Sequence, residues 1–102
     1  MTARRDDEAP LITFRITKPA IRAALPELPP LVYRDAHDVL TAALARTRDP
    51  ARVRLPVQVA KELLLWLQAA AFRHKEARMP NAAALMEATE SLQVAIRAAR
   101  DS

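Results

Sequence analysis

The residues of this sequence best suited to chemistry with an anion are arginines that alternate with apolar side chains on two short stretches. In residues 11–17, Ile12, Phe14 and Ile16 fall on one face of an extended chain and Thr13, Arg15 and Thr17 on the other, the period of a half-buried strand. Arg52, Val53, Arg54 and Leu55 repeat the alternation before Pro56 ends it. If the two stretches lie side by side, Arg15 and Arg54 point outward while Phe14 and Val53 point inward. Guanidinium groups placed near one another across a ribbon repel unless an anion sits over them. The chain has 16 basic and 12 acidic side chains and a net charge of +4, with a pI near 10.3, so a polyanionic partner is compatible with its charge.

Other polar groupings carry less chemistry. Asp35 and Asp38 lie on one side of a helix with His37 between them, an arrangement that metal binding or acid/base work could use. It also fits an N-cap at Asp35, a first-turn acid facing the helix dipole and a solvated His37, and that is the expectation adopted. His74, in Arg73-His74-Lys75-Glu76, belongs to the charged end of a long helix and is expected to face water. Ser91 and Ser102 are the only serines, and neither lies in a nucleophile elbow. Trp66, set among leucines, is expected in the core. No enzyme, metal or cofactor emerges from these residues. The lack of cysteine removes disulfides, thiol nucleophiles and cysteine-rich zinc sites, and the lack of glycine removes dinucleotide fingerprints and P-loops.

The elements that must position the arginines follow from the chain's punctuation. With no glycine, breaks are expected at the eight prolines and at short polar residues. Residues 1–10 read as a flexible arm in which Asp6, Asp7 and Glu8 offset Arg4 and Arg5. After the first strand, Thr17 is a fair N-cap for a helix carrying Ile21, Leu25 and Leu28, which Pro26 keeps short. Residues 33–48 form a better helix, with Val39, Leu40, Ala43 and Leu44 as its stripe and Arg46 and Arg48 at its C-terminal end. Residues 57–78 form a long helix with Ala60, Leu63, Leu64, Leu65, Trp66, Leu67, Ala70, Ala71 and Phe72 spread over more than one stripe. Pro80 suits the first turn of a last helix in which Leu85, Met86, Thr89, Leu92, Ile96 and Ala99 recur. A chain of 102 residues buries roughly two thirds of its unfolded surface, enough for one domain over residues 11–102.

The elements repeat. At an offset of 39 residues Phe14 meets Val53, Arg15 meets Arg54, Ile16 meets Leu55, Ile21 meets Ala60, Leu25 meets Leu64 and Leu28 meets Leu67, dividing the domain into halves 11–49 and 51–100. Thr13 to Thr17 followed by Lys18-Pro19-Ala20-Ile21, and Arg52 to Pro56 followed by Val57-Gln58-Val59, resemble the strand-to-helix start of ribbon-helix-helix DNA-binding repressors. Residues 34–44 resemble that family's second helix. The resemblance implies a mainly helical fold with a short two-stranded antiparallel ribbon, here a tandem in which one chain supplies both strands. The alternative is a small helical bundle with a β-hairpin.

By the same resemblance the ribbon enters the major groove of double-stranded DNA with Thr13, Arg15, Thr17, Arg52 and Arg54 as readers. Backbone amides at the starts of the second helices, at Asp35, Ala36 and His37 and at Asn81 and Ala82, would hold phosphates. The expected function is therefore a cytoplasmic DNA-binding protein, either a transcriptional regulator or a partition-type factor. The competing expectation is a helical interaction or oligomerisation module without DNA binding. The wide apolar surface of helix 57–78 suggests a homodimer or a protein partner. The longest charge-free run, residues 63–72, is about half a membrane span, so no membrane partner is expected.

Overall fold

The structure, a computed structural model, describes residues 11–31 and 33–101. The expected arm and its Arg4 and Arg5 lie outside the described residues. Along the chain run β1 (Leu11–Ile16), α1 (Lys18–Ala24), a 3-10 turn (Leu25–Glu27), α2 (Arg34–Ala45), β2 (Ala51–Pro56), α3 (Val57–Glu76) and α4 (Ala82–Asp101). The described residues are mainly helical, with one two-stranded antiparallel sheet among them.

Both strands follow from their alternation. Ile12, Phe14 and Ile16 of β1 and Ala51, Val53 and Leu55 of β2 are buried, while Leu11, Thr13, Arg15, Arg52 and Arg54 are exposed. The register pairs Thr13 with Arg54, Phe14 with Val53 and Arg15 with Arg52. Phe14 and Val53 are also the residues that the internal repeat superposes. A local two-fold relation between the strands therefore passes through their shared pair.

Thr17 caps α1: its hydroxyl accepts from the Ala20 amide at 3.4 Å, and Pro19 occupies the first turn, where a missing N–H costs nothing. The helix gives way at Leu25 to the 3-10 turn that contains Pro26. Helix α2 differs from its expected bounds at both ends. Tyr33, not Asp35, is its N-cap, and Asp35 lies in the first turn, where its carboxylate still faces the positive end of the dipole. At the other end Arg46 is already extended, so Arg46 and Arg48 lie beyond the last turn. The Arg46 carbonyl accepts instead from the Lys18 ammonium.

Helix α3 stops at Glu76 rather than at 78. Its end is a Schellman motif: the Met79 amide donates to the His74 carbonyl at 2.8 Å and the Arg78 amide to the Lys75 carbonyl at 3.1 Å. Such a motif needs a left-handed residue, and Arg78 supplies it at φ 57°. Glycine usually takes this position, and the chain has none. Pro80 lies ahead of α4 rather than in its first turn, and the Asn81 carbonyl accepts the first bond of the helix from Leu85 at 3.0 Å.

One core joins the two halves. Helices α3 and α4 pack along each other, and α1 touches α2, α3 and α4. Each half's second helix lies on the other half's strand, α4 on β1 and α2 on β2. The buried side chains form a single cluster from Ile12 through Leu40, Val53 and Leu67 to Leu92 and Ile96. On α4 the buried stripe is Leu85, Ala88, Leu92 and Ile96, with Met86 turned outward.

Candidate nucleic-acid interface

The ribbon has a sealed underside and an open top. Its inward residues pack on the helices, while Thr13, Arg15, Arg52 and Arg54 stand in water on the opposite face. The register sets Arg15 directly across from Arg52, where side chains of an antiparallel pair start about 5 Å apart at Cβ. Both outer edges are engaged by the helix beside them. The Arg15 amide donates to Ser91 Oγ of α4 at 3.2 Å. On the far side Arg46 Nη1, just past α2, donates to the Arg52 carbonyl at 2.8 Å. Side chains on these edge groups discourage another strand from adding to the ribbon.

A depression flanks each strand. Beside β2 it is walled by Thr13, Val39, Ala42, Arg46, Arg52 and Arg54. Beside β1 its walls include Arg15, Thr17, Ala84, Glu87, Glu90, Ser91 and Arg97. The first brings together three of the five expected readers and adds Arg46, which the sequence suggested only as a partner for a helix dipole. No pattern in the sequence marks Arg46; the fold does, since Val39, Ala42 and Arg46 line this flank at the same three- and four-residue steps at which Ala84, Glu87 and Ser91 line the other.

Thr17 differs from its expected role as a reader. It follows β1, has no cross-strand partner, is half-buried, and its hydroxyl caps α1. Two of the phosphate candidates already use their amides within the fold. The His37 amide already donates to the Tyr33 carbonyl at 2.9 Å, and the Ala82 amide to the Met79 carbonyl at 3.3 Å, so neither is a spare donor. Asp35 and Ala36 border a recess with Tyr33, Arg34, Val59 and Glu62, none of them a ribbon residue, and its two carboxylates outnumber its one guanidinium, which disfavours an anion. Asn81 is half-buried at the start of α4.

Among the described residues no group of three or more histidine, cysteine, aspartate or glutamate side chains could hold a metal ion. His74, expected in water, is 7% exposed. Its Nε2 lies 3.0 Å from Glu27 Oε2, its Nδ1 is buried with no hydrogen-bond partner among the described residues, and Arg73 pairs with the other Glu27 oxygen. Burial alone would raise the Glu27 pKa. The hydrogen bonds and positive charge offered by Arg73 and His74 outweigh it and hold that carboxyl below its ordinary range. The three side chains tie the 3-10 turn to the end of α3.

Trp66 is half-buried and meets Tyr33 edge-on, ring centres 5.6 Å apart and planes 67° apart. Two other apolar residues of α3 face outward, Leu65 at 67% and Phe72 at 64% exposure. Phe72 shares a groove between α3 and α4 with Met86, Gln68 and Lys75. Among the described residues no helix is long and apolar enough to cross a membrane. Comparison of the chain with protein-family models, with curated proteins and with solved structures finds no match.

Proposed function

We propose that this protein binds double-stranded DNA by laying the β1–β2 ribbon into the major groove, in the manner of ribbon-helix-helix repressors, and that it acts in the cytoplasm as a transcriptional regulator or a partition-type factor. One observation carries the reading: Arg15 and Arg52 face each other on an exposed ribbon, with Arg54 opposite Thr13, above an underside closed by core. A two-stranded ribbon fits the major groove, and arginine bidentate to guanine discriminates bases by roughly 1 to 3 kcal/mol. An anion over the ribbon also relieves the repulsion between the facing guanidinium groups. The order strand, helix, helix, strand, helix, helix and the central Phe14–Val53 pair support a tandem in which the two strands of one chain do the work of two subunits. The reading needs no cofactor and no catalytic residue.

Fluorescence anisotropy with a labelled mixed-sequence duplex over a salt series tests it. Apparent affinity should fall steeply with salt, each neutralised phosphate adding about 0.9 to the log–log slope. Replacing Arg15 and Arg54 together by alanine should remove most of the binding. Flat salt dependence, or no binding at low salt, rejects the reading. The outward Phe72 and Leu65 favour a second reading, a module that associates through α3 with a second copy or another protein. Its mark is a complex indifferent to the double arginine replacement.

A further inference from the structure

The local two-fold relation between the strands makes the two flanks of the ribbon comparable position by position, and their charges differ. Arg54 corresponds to Arg15 and Arg52 to Thr13 under the strand repeat. Ala42 lines the β2 flank as Glu87 lines the β1 flank, and Arg46, just past α2, engages the edge of β2 as Ser91 engages the edge of β1. The β2 flank thus gathers Arg46, Arg52 and Arg54 with no carboxylate among the described residues of its wall. The β1 flank sets Arg15 and Arg97 against Glu87 and Glu90, so its charge cancels. Arg46 is also held in place. Its Nη1 donates to the Arg52 carbonyl at 2.8 Å, and the Lys18 ammonium binds its own carbonyl. Arginine has five N–H donors, so one bond to the strand leaves others for a phosphate.

We propose that the DNA-binding face is polarised: Arg46, beside Arg52 and Arg54, grips the phosphate backbone along the β2 flank, while Glu87 and Glu90 keep the β1 flank from doing the same, so the protein binds in one orientation on a site without dyad symmetry. This rests on the DNA reading above and adds to it a phosphate-binding residue and a rule for the target. A homodimer has identical flanks and reads (pseudo)palindromes because its own symmetry demands it. Here the two flanks belong to different parts of one chain, and their charges have diverged.

The experiment has two arms, both with the full-length chain. In the first, anisotropy over a salt series with the mixed-sequence duplex compares wild type, Arg46→Ala, and Glu87→Gln combined with Glu90→Gln. Arg46→Ala should lower the log–log slope by about 0.9 and weaken binding roughly fivefold to tenfold near 0.1 M salt. The glutamine pair should tighten binding severalfold. All three positions are exposed, and the glutamine pair reports on the β1 flank without touching Arg46. In the second arm, wild type selects sequences from a duplex pool whose randomised stretch is only long enough for one copy, and these should lack dyad symmetry. If Arg46→Ala and the glutamine pair bind like wild type, or the selected sites are palindromic, the polarity is overturned while salt-sensitive, Arg15- and Arg54-dependent binding still upholds the DNA reading. If wild type shows no salt-sensitive binding, both fall together.

Discussion

Arg15 and Arg52 occupy facing, exposed positions of an antiparallel pair, where like charges oppose each other. The free protein carries that repulsion as a cost. Replacing Arg15 with threonine, the residue already at position 13, should therefore stabilise the isolated protein by about 0.2 to 1 kcal/mol. On the proposed function, the same replacement should weaken binding to a DNA duplex. Urea midpoints and anisotropy on one preparation check both signs, and a variant that loses stability would mean the facing charges are not in conflict. Glu27 yields the second prediction at this scale. Its folded-state pKa is lowered, so the stability it contributes is complete above the ordinary carboxylate value of about 4.3 and is lost as pH falls through the folded value. From neutral pH to below about pH 4, urea midpoints of wild type should fall further than those of Glu27→Gln, because the glutamine has no proton to take up.

At the scale of elements, the end of α3 stores strain in a residue with a side chain. Arg78 holds the left-handed position of a Schellman motif, a conformation costing roughly 1 to 2 kcal/mol for residues other than glycine. Part of that is regained when glycine replaces it, because glycine loses more backbone freedom on folding. Arg78→Gly should raise stability by about 0.5 kcal/mol, measured as a higher thermal midpoint with the helical circular dichroism unchanged. The elements themselves were legible where a short-range rule applies. Period-two alternation marks β1 and β2 because burial of one face leaves that imprint directly in sequence. Thr17 and Pro26 bracket α1 because capping and a missing N–H act within a few residues. What escaped depends on distance or on backbone angle. His74 lies within a charged tetrapeptide, and only the arrival of Glu27 from the 3-10 turn, 47 residues away in sequence, shows that it is buried. Arg46 looks like a helix-dipole residue until the fold brings it against the Arg52 carbonyl. Nothing in the letter Arg announces the left-handed φ of Arg78.

For the molecule as a whole, helix α3 serves two surfaces. Ala60, Leu63, Leu67 and Ala70 close the core, while Leu65 and Phe72 face water and Met86 of α4 joins Phe72 along a groove. The groove carries Lys75 on the α3 side and Glu90 on the α4 side. A two-fold pairing of copies can set Phe72 and Met86 of one copy against the same patch of the other, since an isologous contact buries the same surface on both subunits. Sedimentation should therefore show a mass that rises with concentration in wild type and stays monomeric in Phe72→Glu, with little change in thermal midpoint because that side chain is 64% exposed. A concentration-independent monomer mass for wild type would remove self-association through this groove and leave the ribbon untouched.

The pairing of β1 with β2 inside a single polypeptide also shapes how such a face can change over generations. When identical subunits build a reading surface, one mutation in the gene is printed on both sides at once, and a gain on one side must be tolerated on the other. Here a codon change at Arg54 leaves Arg15 as it was. Each side can be retuned alone, in single steps, without a matching alteration elsewhere.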